Sequence, residues 1–351
     1  MRSLFVRNLY LWPRFHTNVV ENLREITPEV IELHIDMTEA MKHIQTSILD
    51  SMSYTLQELK RLNPSLTFND SDEEYLSVEN AMSKSFHKNL QQELDPIWHQ
   101  LSWRTKHLVS DMKTLRSVLN HLTHYDCITF YSFVSALKTT DAAMKSGGWM
   151  MMDAAETLFV SAKSRVFPTE DKLELEEVPK WKVLKEVLEE IKQDNKDDSI
   201  TLVLAADERQ REQLLACLEH GSQPLLKRLY NKCLGEKFGP LPDVKEIKDK
   251  GKGKKSSDVI EEPLNESDSI VLQSFQIGSF AINKLINDLK PKYFVLYDCE
   301  ISVVRQIEVY QASNPGIKVK VFFMIYGKSV EEQAYLSSLR QEKEAFEKLI
   351  K

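Results

Sequence analysis

Tyr293-Phe294-Val295-Leu296-Tyr297-Asp298, then residues 301–312, then Val319-Lys320-Val321-Phe322-Phe323-Met324-Ile325-Tyr326: this passage decides the fold. Two short runs that are apolar at nearly every position flank a segment of helical period. Runs of that kind suit strands covered on both faces, as in a parallel sheet. The pattern extends both ways. Residues 280–289 and 330–350 read as helices, 181–191 as an amphipathic helix, Ile200-Thr201-Leu202-Val203-Leu204 as a further strand, and 208–229 as helical again. Strands alternating with helices predict βαβ units and a doubly wound α/β sheet.

Residues 39–166 carry a different rhythm. Met41, Ile44, Ile48, Met52, Leu56 and Leu59 recur at three and four, as do Leu108, Met112, Leu115, Leu119 and Leu122. Each set is a stripe that buries one helix face. The region reads as an all-helical domain with a polar loop at Asn69-Asp70-Ser71-Asp72-Glu73-Glu74. Before it, a short helix from residue 17 gives way at Pro28 to a strand in which Ile31, Leu33 and Ile35 alternate. A lone strand leaves its edges unsatisfied, so this one needs a partner.

Residues 237–257 hold seven Lys against three Asp or Glu, a net of +4, with Gly-Lys-Gly-Lys-Lys at 251–255. Lacking apolar periodicity, the stretch 237–268 is expected to be a disordered basic linker. Lys252, Lys254 and Lys255 are candidates for nuclear import or nonspecific phosphate contact, beside the plainer reading of a solvated loop.

The 351 residues are 42% hydrophobic and carry a net charge of −7, which leaves −11 outside residues 237–257. Collagen-like and generally disordered classes are excluded. No apolar run reaches the roughly 18 residues of a membrane span, and Arg7 and Arg14 interrupt the start before a signal-peptide core forms. Cys127, Cys217, Cys233 and Cys299 are far apart and unpaired by motif, and read as reduced, mostly buried thiols. His121 and His124 lack a third ligand, so surface or boundary histidines are the better reading than metal ligands. Met150, Met151 and Met152 read as core filling rather than a soft-metal surface.

Chemical motifs are few. Gly327-Lys328-Ser329 follows a strand, but a phosphate-binding loop needs a glycine five positions earlier, where Phe322 stands. There is no dinucleotide fingerprint, zinc-protease motif or nucleophile elbow. Asp298, at the carboxyl end of its strand, is read as a helix cap in preference to a magnesium ligand. Arg305, on the following helix, and Arg340 with Lys343, on the last, could face a ligand or backbone phosphate, or be solvated helix charges. No catalytic or metal-ligating residue is assigned.

Several blocks, in order, resemble the XPF family of DNA repair endonucleases: residues 4–16, Leu94-Asp95-Pro96-Ile97-Trp98-His99-Gln100-Leu101, Tyr125-Asp126-Cys127, Tyr293-Phe294-Val295-Leu296-Tyr297-Asp298, Val304-Arg305-Gln306-Ile307-Glu308-Val309-Tyr310, and Arg340-Gln341-Glu342-Lys343-Glu344-Ala345-Phe346-Glu347-Lys348-Leu349-Ile350. The resemblance implies a superfamily 2 helicase-like module with RecA-like parallel-sheet lobes and an inserted all-helical domain. Residues 1–38 would end the first lobe, 39–166 form the helical domain, and 167–351 the second lobe. The strand at 30–35 would then be the last of a sheet whose other members are missing, and the chain an interior section of a larger protein.

The family's nuclease signature, Glu-Arg-Lys with Asp three residues on, has no counterpart, since Glu208-Arg209 is followed by Gln210. No cofactor is expected in this chain; magnesium or manganese would belong to the missing nuclease domain. What the resemblance implies for these residues is binding. It points to single-strand/double-strand DNA junctions, the damage-verification protein XPA and an SLX-type nuclease scaffold, the last implied to meet residues 9–15, which also suit a core. The setting would be nuclear, in nucleotide excision repair and interstrand crosslink repair. The heterodimer partner subunit would need a missing C-terminal domain, and no membrane is involved. Phosphate contacts would come from Arg305, Lys328, Arg340 and Lys343. Two other readings stand beside this one: a fragment of an ATP-dependent superfamily 2 helicase, and a helical adaptor without nucleic-acid affinity.

Overall fold

The computed structural model describes residues 16–24, 27–63, 78–81, 86–139, 148–167, 175–195, 197, 199–238 and 269–350. The acidic loop, residues 4–15 and the basic linker with Lys252, Lys254 and Lys255 lie outside these. In chain order the elements are α1 (Thr17–Arg24), β1 (Glu29–Ile35), α2 (Glu39–Leu62), α3 (Val78–Ala81), α4 (Phe86–Leu94), α5 (Trp103–His124), α6 (Cys127–Thr139) and α7 (Asp153–Val166). Then come α8 (Pro179–Asp194), β2 (Thr201–Ala205), α9 (Glu208–His220), α10 (Ser222–Cys233), α11 (Gly235–Phe238), β3 (Ile270–Ser274) and α12 (Ser279–Leu289). The chain closes with β4 (Tyr293–Leu296), α13 (Ile301–Ser313), β5 (Lys320–Tyr326) and α14 (Val330–Ile350).

All five strands run parallel, in the order β1-β5-β4-β2-β3. Because side chains alternate across a sheet, each strand feeds two cores. Val203, Val295, Phe322 and Met324 face one way, into a core continued by Leu184 and Leu188 of α8 and by the helical region. Leu204, Phe294, Leu296 and Phe323 face the other, against Ile282 and Ile286 of α12 and Val303 and Ile307 of α13. The fold is thus an α/β parallel-sheet lobe joined to an all-helical region. The helical stripes read from the sequence lie where expected: Ile44, Ile48, Met52, Met112, Leu115 and Leu122 are buried to zero exposure. Among the described residues no helix is long and apolar enough to cross a membrane.

Four expectations need correction. First, β1 is not the remnant of another sheet. It pairs in register with β5 from Glu29↔Lys320 to Ile35↔Tyr326, and the Ile35 carbonyl accepts from Gly327 N at 3.0 Å. Residues 29–35 therefore belong with the strands of 201–326, and their half-exposed alternation marks an edge position rather than a separate lobe. Second, the helix expected over 208–229 breaks at Gly221, whose φ of +90° and ψ of 161° suit glycine alone. Third, β3 has no counterpart in the sequence reading; its five residues begin just after the stretch 237–268 and form the other edge of the sheet. Fourth, of the three methionines read as core, Met151 is 87% exposed, while Met150 and Met152 pack against the core.

Candidate functional site

Parallel α/β sheets place ligands beyond the carboxyl ends of their strands, and here that edge meets α5 of the helical region. A cleft of about 220 Å³ opens there, lined among others by Arg116, Asn120, His124, Phe275, Asp298 and Tyr335. Asp298, directly after β4, forms its floor and is 4% exposed. Its Oδ2 accepts from Ala206 N at 2.9 Å, tying the end of β4 to the end of β2. Its Oδ1 lies 3.8 Å from both His124 Nε2 and Lys180 Nζ. The helix-cap reading of Asp298 therefore falls: the residue at the N-cap of α13 is Glu300, which makes no side-chain cap bond.

Behind Asp298 sits Lys180, fully buried at the first turn of α8. It donates to Glu331 Oε1 at 2.6 Å and to the Tyr297 carbonyl at 3.0 Å, and lies over the Tyr297 and Tyr326 rings at 5.2 and 4.8 Å. Burial disfavours the ammonium, but the Glu331 and Asp298 carboxylates outweigh it and hold the pKa above the ordinary lysine range. Lys180 is thus a fixed cation, not a neutral nucleophile. The other reactive groups nearby are silenced in the same way. Burial, then Asp207, raises the Tyr125 hydroxyl, and burial raises the Cys299 thiol.

In the turn after β5, the backbone amides around Gly327-Lys328-Ser329 are already spent within the protein. In a phosphate loop the backbone N–H groups point at the anion. Here Tyr326 N donates to Glu331 Oε2 at 3.1 Å, Gly327 N to Ile35 O at 3.0 Å, Lys328 N to Glu332 Oε2 at 2.7 Å and Val330 N to Gln45 Oε1 at 3.0 Å. Carboxylates in the first turn of α14 occupy the position an anion would take.

A polar seam joins the helical region to the sheet beside this cleft. The Tyr125 hydroxyl donates to the Asp207 carboxylate, Gln210 Nε2 to His124 O at 3.1 Å, Arg209 to Thr129 Oγ1 at 3.2 Å and Gln213 Nε2 to Asp126 Oδ2 at 2.8 Å. Asp126 also caps α6 through Ile128 N and Thr129 N, both at 2.9 Å. His121 stacks flat on Phe133 at 4.0 Å and His124 faces Asp298, so the histidine pair is spent on packing and the seam.

The residues singled out from the sequence do not converge. Arg305 is held between Glu308 at 3.0 Å and Glu342 at 2.7 Å, linking α13 to α14. Lys328 is exposed at a φ of +54° in the turn. Arg340 and Lys343 are exposed on α14. Lys180 and Glu331, the centre of the buried network, carry no local signal in the sequence: Lys180 stands just before the helix read from Trp181, and its partners lie more than 110 residues away. Among the described residues no three His, Cys, Asp or Glu side chains are grouped to hold a metal ion.

No family model matches the chain. It is similar to the DNA repair endonuclease XPF of Cricetulus griseus, 36% identical over 459 residues covering 100% of this chain and 49% of that protein. The Drosophila melanogaster XPF is 31% identical, over 100% and 46%, and the DNA repair protein rad16 of Schizosaccharomyces pombe 28% identical, over 100% and 49%. The chain spans about half the length of the relatives it matches. In fold it is similar to the Pyrococcus furiosus Hef helicase domain, with a TM-score of 0.59 at 12% identity over 96% of this chain and 62% of that one.

Proposed function

We propose that this chain, similar along its whole length to XPF-type DNA repair endonucleases of about twice its length, is a noncatalytic helicase-like module of such a nuclease that binds DNA and partner proteins. The observation that carries the proposal is the occupied turn after β5. A RecA-like sheet whose one phosphate-like motif spends its amides on Ile35, Gln45, Glu331 and Glu332 has the frame of a helicase lobe without an anion cradle there.

The module's task is then recognition. Arg340, Lys343 and Lys328 supply sequence-independent phosphate contacts at a single-strand/double-strand junction. Partner docking, by XPA and an SLX-type scaffold, takes place on the same module. Incision on the 5′ side of a lesion, in nucleotide excision repair and crosslink repair, belongs to the whole nuclease in the nucleus, and its magnesium or manganese to the nuclease domain.

The test uses the purified chain with forked DNA, magnesium and ATP. The expected result is no ATP turnover and DNA affinity that falls steeply with salt. DNA-stimulated ATP hydrolysis would instead make the chain part of an active superfamily 2 helicase. Absence of DNA affinity at low salt, with XPA still bound, would leave the adaptor reading.

A further inference from the structure

We propose that Trp98 and Trp103, with the cations around them, form a platform on which the bases of a single-stranded nucleic acid stack. The proposal rests on the DNA-binding reading above and adds where, and by what chemistry, a strand is held.

The two tryptophans stand at the entrance to α5. Trp98 ends the short turn after α4, and Trp103 is the first residue of α5. Trp103 is 69% exposed and Trp98 39%, whereas Trp149 and Trp181 are at 1% and 3%. Burying an indole is among the larger gains open to a fold, and these two forgo much of it. Each ring is paired with a basic side chain: Lys106 Nζ lies 5.5 Å from the Trp98 centroid, and the His107 ring meets Trp103 edge-on at 5.1 Å. Lys106 and His107 are consecutive, so both pairs are anchored on the first two turns of α5.

The charge around them is predominantly positive. Residues 96–110 contain Arg104 and Lys106 and no carboxylate. Arg104 reaches Glu58 at 3.1 Å, and Asn63 at the end of α2 bonds Thr105 at 3.2 Å. These contacts bring Lys60 and Arg61, in the last turn of α2, to the same surface. Lys60, Arg61, Arg104 and Lys106 together outnumber Glu58 and Asp95, on a chain whose net charge is −7.

Rings interleaved with cations are the chemistry of a strand of bases and phosphates. A protein partner would use the tryptophans differently, inside an apolar patch ringed by a polar rim. The exposed neighbours here are Asp95, Pro96, His99, Gln100, Ser102 and Arg104, with no further large apolar side chain among them. A duplex keeps its bases stacked on one another and offers the rings nothing to cover.

The experiment titrates the full chain with labelled oligothymidylate, with a duplex of equal length and with polyglutamate, an anion without bases. Trp103→Ala is expected to weaken oligothymidylate binding roughly 5- to 100-fold, Trp103→Phe to recover most of that loss, and Lys106→Ala to lower the salt slope by about one. Duplex affinity and the thermal unfolding of the variants should match the wild type. Oligothymidylate binding unchanged in Trp103→Ala and Trp98→Ala, while the wild type binds DNA, overturns the platform and leaves the DNA-binding reading standing. Polyglutamate binding that is as tight and falls by the same factor overturns it in favour of an acidic protein partner. A wild type that binds no DNA at low salt removes both.

Discussion

Lys180 Nζ lies 2.6 Å from Glu331 Oε1, with the lysine side chain wholly buried and the glutamate 10% exposed. Taking two such charges out of water is costly, and removing one leaves the other uncompensated. Lys180→Met should therefore destabilise the fold by about 3 to 5 kcal/mol, measured by denaturant unfolding, and Lys180→Met with Glu331→Gln should recover much of that loss. The folded pKa of Lys180 is raised, so its contribution is fully present below the ordinary lysine value of about 10.4 and is lost only as pH rises beyond it.

Asp126 is fully buried and serves both the cap of α6 and Gln213 of α9. Asp126→Ala removes the cap and strands a buried amide, with an expected cost of about 2 to 3 kcal/mol. Asp126→Asn keeps an oxygen for the cap and should cost less. Chemical denaturation of the two variants compares them directly.

At Gly221 the backbone sits at φ +90°, ψ 161° between α9 and α10. A Cβ would meet only Pro224 Cδ at 3.7 Å, so the penalty is conformational rather than steric. Gly221→Ala should cost about 1 to 3 kcal/mol, seen as a lower thermal midpoint.

Acid should weaken the helical region. Burial lowers the pKa of His87, assisted by Arg116 and Lys113, and burial lowers that of His121. The unfolded chain then binds more protons below the ordinary value of about 6.5, so stability present above that pH declines as pH falls through it. The slope is at most about 1.4 kcal/mol per pH unit for each histidine. Thermal melts from pH 7 to 5 should show the decline, reduced in His121→Phe.

Two arginines should part company. Arg340 is exposed, so Arg340→Ala with Lys343→Ala should lower the salt slope of DNA binding by up to about two and leave stability within about 0.5 kcal/mol. Arg305, clamped by Glu308 and Glu342, should behave oppositely: Arg305→Ala loosens α14 by about 1 kcal/mol, discounted for its partial exposure, and leaves the salt slope unchanged.

The sheet was legible because β2, β4 and β5 are buried on both faces and so are apolar at successive positions, as at Phe294-Val295-Leu296. The helical stripes were legible for the matching reason, a single buried face. What escaped was set by distant partners. The pairing of β1 with β5 joins residues about 290 apart, and no local pattern encodes it. Lys180 is buried only because Glu331 and Asp298 surround it, and a lysine beside a proline announces nothing of the kind. Arg305 looked like a phosphate ligand for the complementary reason, since Glu342 lies 37 residues further along.

The placement of β1 also orders events during synthesis. Its seat lies against residues 320–326, so as the chain leaves the ribosome β1 must wait, edge bare, until the roughly 290 residues up to β5 have appeared. The helices from α2 to α7 can close on one another meanwhile through local contacts, which form fastest. β1 cannot seat before β5 is made, and a nascent chain stalled short of β5 leaves that edge exposed to edge-to-edge association and to chaperones.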